Sequence, residues 1–162
     1  MTRRIVAAPI SAEAFAPFGD VLSATGAPDK IINQGNCGRY HDLARLDLHG
    51  GRAGVSLFDA KPRSLPYRLE MVERHPDGAQ CFVPMGGHGF LVIVAPDEGG
   101  VPGTPRAFLT HPGEAVNFHR NTWHGVLTPL EAPGLFAVID RIGPGANLEE
   151  HWFSEPYEVV AP

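Results

Sequence analysis

Short apolar runs separated by turn residues fill most of the chain, and within them apolar and polar positions alternate. A period of two marks a strand with one buried face. Ile5–Ile10 reads as the first strand. Ser11 is placed to cap a helix running to about Phe18, with Glu13 in its first turn and Gly19 suited to its stop. From there the helical period disappears. The alternation predicts strands over Val21–Leu22, Ile31–Asn33, Tyr40–Leu48, Val55–Phe58 and Tyr67–His75. It predicts further strands over Gln80–Val83, Phe90–Ala95, Ala107–Leu109, Ala115–His119, His124–Leu127 and Leu135–Ile142. Pro62, Pro66, Pro76-Asp77-Gly78, Gly86-Gly87, Pro96 and Pro112-Gly113 punctuate them. Asp97–Pro105, rich in Gly and Pro, reads as a surface loop. Leu148–Phe153 reads as a helical turn, with Pro156 limiting regular structure beyond it. The pattern implies an all-β sandwich, jelly roll or barrel with one short N-terminal helix.

Two stretches interrupt the apolar faces with polar groups. In Glu73–Gln80, His75 and Gln80 flank four residues; in Asn117–His124, His119 and His124 do the same. If each set of four closes a hairpin, the flanking pair faces each other on one side of a sheet. Alternation then adds Glu73 behind His75 and Asn117 behind His119. Along Tyr67–His75, the side with Tyr67, Leu69, Met71, Glu73 and His75 is the more apolar one and is expected to face inward. Ionisable groups on an inward face are costly without partners, which makes them site candidates.

Composition narrows the class. A chain of 162 residues is expected to form one domain, residues 1–162, with a real core. Its 19 Gly and 16 Pro favour many short strands over a few long helices. A net charge of −5 argues against nucleic acid or an anionic membrane as partner. Cys37 and Cys81 form no metal or redox motif and read as small residues in a reducing compartment. Met1–Arg4 followed by Ile5–Ile10 imitates a signal peptide, but Pro9, Ser11 and Glu13 interrupt it too early. No run approaches the ~18 apolar residues of a membrane span. A cytoplasmic protein is expected.

The spacing of the polar stretches also matches a known pattern. Cupin barrels carry H-x-H-x(3,4)-E-x6-G followed by P-x-G-x2-H. Glu73-x-His75-x4-Gln80-x6-Gly87 matches the first with Glu for the first His and Gln for Glu. His119-x-Asn121-x2-His124 keeps the His of the second but replaces its Pro and Gly. Five blocks between Ser11 and Arg141 carry a closer likeness. They are Phe15–Val21, Arg39–Leu43, Arg74–Met85, Asn117–His124 and Ile139–Arg141, and they resemble the bacterial ureidoglycolate lyase family of the cupin superfamily. The resemblance implies a cupin-type double-stranded β-barrel, a homodimer, and cleavage of ureidoglycolate to glyoxylate and urea in purine breakdown through allantoin. That reaction needs a base for the hydroxyl proton, an acid for the departing nitrogen and a cation for the carboxylate.

His75, His119, His124 and Gln80 are therefore the candidate catalytic residues, against the plainer reading of hydrogen-bonded barrel side chains. Arg39, Arg120 and Arg141 compete for the substrate carboxylate; each could instead pair with an acid such as Asp42 or Asp140. Asn117 and Asp140 complete the candidate substrate contacts. Glu73, His75, Gln80 and His124 form a candidate quartet for one divalent metal ion, though Glu73 could simply pair with an arginine. Imidazole and oxygen donors suit Ni, Mn, Fe or Zn, and the resemblance favours nickel. No phosphate-cradling glycine loop is present, so no organic cofactor is expected. A lyase and an amidohydrolase that releases ammonia both remain open, as do another metal-dependent cupin enzyme and a cupin that only binds a small acid.

Overall fold

A computed structural model describes residues 2–162. The chain opens with β1 (Arg3–Val6), β2 (Ala8–Pro9), the helix α1 (Ala12–Phe15) and β3 (Gly19–Leu22). A small ribbon of β4 (Lys30–Ile32) and β5 (Cys37–Arg39) follows. Next come β6 (Arg52–Asp59), β7 (Tyr67–Arg74), β8 (Gln80–Pro84) and β9 (Phe90–Ala95). A second ribbon, β10 (Asp97–Glu98) with β11 (Val101–Pro102), lies inside the expected surface loop. The rest is β12 (Arg106–Leu109), β13 (Ala115–Phe118), β14 (Trp123–His124), β15 (Thr128–Pro129), β16 (Leu135–Ile142) and β17 (Glu149–Val160). The fold is the nearly all-β jelly roll of cupins, as the alternation and the resemblance imply.

Two sheets face each other. The larger runs β1-β17-β7-β14-β9-β12-β2, with β15 also on β9; the smaller runs β3-β13-β8-β16-β6. Between them pack Phe82, Phe90, Val92, Val94, Phe108, Val116, Phe118, Phe136 and Val138, capped by Phe15 and Phe18. Burying each large side chain contributes roughly 1.5–3 kcal/mol. The other face of the larger sheet holds a second core that includes Leu69, Val72, Leu91, Ile93, Trp123 and Val159. β9 feeds both, which explains its unbroken apolar run Phe90–Ala95. β1 lies beside β17 and β2 beside β12, so the link through Ala7, whose N–H donates to Val160 O, ties the two edges of that sheet together. The sheet thereby curls into a nearly closed barrel.

Several elements differ from the sequence reading, each for a physical reason. The helix stops at Phe15: Ala16 keeps helical dihedrals (φ −50°, ψ −37°), but Pro17 has no N–H to continue the ladder, and a turn carries the chain on, with Phe18 N–H donating to Phe15 O. Ser11 does cap it, its Oγ accepting from Ala14 N–H at 3.1 Å. Gly19 is required where β3 crosses β13: a Cβ there would lie 1.9 Å from Asn117 O. Tyr40–Leu48 is not a strand. Asp42 adopts a left-handed backbone (φ 51°), and the segment bonds to others through Tyr40 Oη, His41 N–H and Arg45 N–H. The tail is no helical turn but the longest strand, β17. Pro156 is accommodated because the register with β7 breaks between Trp152 and Tyr157, where no ladder donor is missing. The same break places Leu69 in the second core while Glu73 faces the space between the sheets.

The two expected hairpins are corners. β7 and β8 belong to different sheets, and so do β13 and β14. Each polar stretch therefore crosses from one sheet to the other. β7 pairs with β14, placing His124 opposite Glu73, and β8 pairs with β13, placing Phe118 opposite Gln80.

Candidate active site

Where the two corners meet, Glu73, His75 and His124 converge from β7, the turn after it, and β14. One ligand atom from each lies within 4.8 Å of the others. The imidazole centroids are 5.2 Å apart. His124 is fully buried, and the ring of Phe118 stacks on it at 4.3 Å and 5°. Its Nδ1 lies 2.9 Å from Gly125 O; a carbonyl only accepts, so Nδ1 carries the proton and Nε2 is a free lone pair. His75 is fixed in the same way, Nδ1 donating to Asn147 O at 2.8 Å. Both Nε2 atoms are buried without a hydrogen-bond partner among the described residues. Glu73 Oε1 lies 3.9 Å from His75 Nε2, beyond hydrogen-bond range.

Burial governs the charges here. It pushes His124 down to about 3, with the neighbouring His75 adding to the effect against the pull of Gly125 O. Burial also raises the Glu73 carboxyl; His75 opposes the rise and Glu150 adds to it. Gln80 reaches the same interior face from the opposite sheet. Its Nε2 donates to Asp140 Oδ2 at 3.1 Å, leaving a buried Oε1 with no partner among the described residues. Two imidazole Nε2 lone pairs and a carboxylate form a donor set suited to one divalent cation. Second bonds from both imidazoles to carbonyls are the usual way such ligands are oriented.

A cleft opens beside this centre, lined by Phe58, Asp59, Arg63, Glu73, Gln80 and Leu127 among others. Arg63 escaped the sequence reading. It stands in a Pro-rich connection with no periodicity to give it a face, and only the fold brings it to the cleft that Glu73 and Gln80 also line.

Other candidates stand elsewhere. Asn117 is Cα partner to Asp20 and Cys81, so it lies on the outer face of the smaller sheet, away from Phe82 and Phe118. Its Nδ2 donates to Asp20 Oδ2 (3.0 Å) and Arg45 O (2.9 Å). His119 shares that face, with Nε2 3.0 Å from Asp20 Oδ1. Burial works against the Asp20 charge, but the Arg45 N–H, Asn117 and His119 together hold its carboxyl below the usual range. His119 and Arg120 line a separate polar cleft with Arg45 and Asp47, Arg120 Nε standing 3.7 Å from Asp47. Arg39 lies exposed on the β4–β5 ribbon. Arg141 spends its guanidinium on main-chain carbonyls of His49, Gly50 and Pro144. The hairpin assumption set His75 opposite Gln80 and His119 opposite His124; the corners instead bring His75 and His124 together and leave His119 outside.

A jelly-roll barrel whose two cupin-spaced motifs deliver imidazoles and a carboxylate to one interior point is a cupin enzyme. Comparison with known proteins is specific about which kind. The model of the family described as ureidoglycolate lyase matches residues 2–160, and this chain belongs to that family. It is 61% identical over 149 residues to a ureidoglycolate lyase of Rhodobacter capsulatus, covering 91% of this chain and 92% of that protein. It is 55% identical over 153 residues to ureidoglycolate lyase 2 of Rhizobium meliloti (93% and 94% covered). A ureidoglycolate lyase of Chelativorans is 52% identical over 162 residues (99% and 98% covered).

Proposed function

We propose that this protein cleaves ureidoglycolate to glyoxylate and urea, as a step in purine-derived nitrogen catabolism through allantoin. The observation that carries the reading is the pair of buried, unpartnered Nε2 lone pairs beside a carboxylate, in a chain of this family. In the substrate, one carbon bears a hydroxyl, a carboxylate and a urea nitrogen. His75 Nε2 takes the hydroxyl proton, the C–O bond becomes the aldehyde C=O, and the C–N bond breaks. The same proton passes to the departing nitrogen, so urea leaves neutral and no water is consumed. Glu73, 3.9 Å from Nε2, stabilises the imidazolium between these transfers. Arg63 on the cleft wall holds the substrate carboxylate, and the amide oxygen of Gln80 accepts from the ureido N–H.

Glu73, His75, His124 and Gln80 would hold a divalent ion, with nickel the first candidate; with their lone pairs engaged by it, the ion would replace His75 as the group that acidifies the substrate hydroxyl. Such an ion supplies Lewis acidity toward the substrate hydroxyl. The amide of Gln80 is a weaker donor than the usual carboxylate, so binding should be modest. The expected outcome is urea and glyoxylate in equal amounts without ammonia, with activity lowered by dialysis against a chelator and restored by added nickel. The melting temperature should stay almost unchanged. Ammonia as a product would make the protein an amidohydrolase. Full activity after chelation would mean that these side chains act on substrate directly.

A homodimer is part of the proposal. On the outer face of the smaller sheet, Val55 is 73% and Leu57 64% exposed, and their register partners Ile139 and Ala137 extend the apolar surface. A second copy covering this face would remove it from water. Sedimentation should give a dimer, and Leu57→Asp should shift it to monomer. A parent protein sedimenting at 17.4 kDa would count against it. We place the enzyme in the cytoplasm. The half-buried Cys37 and buried Cys81 are free thiols, and among the described residues no helix is long and apolar enough to cross a membrane.

A further inference from the structure

The turn that carries His75 is clamped on both sides. On one side His49 N–H donates to Asp77 O at 2.7 Å, Ala79 N–H donates to Asp47 O at 2.9 Å, and Leu48 bridges to Gly78. On the other side Asn147 O accepts from His75 Nδ1 at 2.8 Å, while Asn147 Oδ1 accepts from Asp77 N–H at 2.7 Å. These two clamps come from loops far apart in sequence, and one side chain joins them. Arg141 Nε donates to His49 O at 2.6 Å, and its Nη2 donates to Gly50 O at 3.1 Å and Pro144 O at 3.0 Å. Space for the side chain is left by glycines. A Cβ at Gly51 or Gly78 would come within 2.8 Å of it, and one at Gly143 within 2.9 Å.

We propose that Arg141 is a positioning residue for His75. It pins the 49–50 loop to the start of the 143–147 loop, so that Asn147 O holds the proton of His75 on Nδ1 and presents the Nε2 lone pair to the centre. The planar fork of a guanidinium spans carbonyls from two loops; an ammonium is a single point of charge and cannot hold the same spacing. His124 needs no such support, because its Nδ1 donates to the carbonyl of the next residue. The inference rests on the reading of His75 as a site residue, but not on the identity of the substrate.

The test is nitrogen-detected NMR of the histidine rings in chelator-treated, ligand-free protein, run on the parent and on Arg141→Gln. The parent should show His75 as one tautomer with Nδ1 protonated. Arg141→Gln should show His75 in mixed tautomers while the His124 signals stay in place. In the same variant kcat should fall about 10–100-fold, as for other outer partners of a site histidine, with KM close to the parent value. Arg141→Lys should recover part of the loss. If Arg141→Gln does not fold, Asn147→Ala decides by the same spectrum, since it removes the Asp77 anchor and leaves the carbonyl. A folded variant whose His75 keeps the parental tautomer overturns the proposal. So does a raised KM with an unmoved His75, which would assign Arg141 to the substrate carboxylate. Products other than urea and glyoxylate would refute the functional reading and leave the spectral result standing.

Discussion

His75→Asn lowers kcat/KM for ureidoglycolate by ~10²–10⁴, the usual worth of a positioned general base. Asparagine places an amide near the position of Nδ1, so the bond to Asn147 O at 2.8 Å survives and the turn keeps its shape. What is lost is the Nε2 lone pair beside Glu73. The melting temperature should therefore move by only a few degrees. His119→Ala is the matched control. Its ring lies on the outer face of the smaller sheet, 3.0 Å from Asp20, and its loss should change kcat/KM only a few-fold. Steady-state kinetics on both variants decide the matter. Equal losses in the two would move the chemistry to the cleft lined by Arg45, Asp47, His119 and Arg120.

The second large effect is on stability in acid. His124 has a folded pKa of about 3 against 6.5 for the free side chain. Between those values the unfolded chain binds a proton that the folded chain refuses. Stability is thus fully present above pH 6.5 and is lost as pH falls toward 3, at about 1.4 kcal/mol per pH unit from this group. Glu73 works in the opposite sense. Its raised carboxyl takes up its proton first in the folded state, which gains stability as pH falls through that range. Asp20, held low, adds to the acid loss below its unfolded value of 3.8. Urea unfolding of chelator-treated protein at pH 7 and pH 5 should show the drop. His124→Gln should be less stable at pH 7, because it vacates a buried site stacked on Phe118, but its stability should change less between the two pH values. A variant with the parental pH dependence would show that His124 is not the group being protonated.

The all-β class, the short capped helix, the strand over Phe90–Ala95 and the two polar clusters were all legible in the sequence. These features are local. Alternation follows from the pleat, capping from a serine beside free N–H groups, and turns from Pro and Gly. The same rules predicted a strand over Tyr40–Leu48 and a helical turn over Leu148–Phe153, and there they failed. The segment after Tyr40 is held out of any sheet by bonds to Gly26, Asp29 and Asp20. The tail became β17 because β7 and β1 were both available as partners, and the register shift absorbed Pro156.

The site divides along the same line. Glu73, His75, Gln80 and His124 could be named from spacing, since i and i+2 share a face whatever the strand pairs with. Whether the turn after His75 closes a hairpin or turns a corner is not a local property. The four residues between His75 and Gln80 suit both, and the choice depends on which distant strands β7 and β8 find. By pairing β7 with β14 and β8 with β13, the fold brought His75 and His124 to one point and left His119 and Asn117 outside. It also set Arg63 in the cleft and committed Arg141 to carbonyls. Residue type and spacing determined which groups this protein has for chemistry. Only long-range strand pairing, where the energy of each contact depends on partners far away in the chain, decided which of them meet.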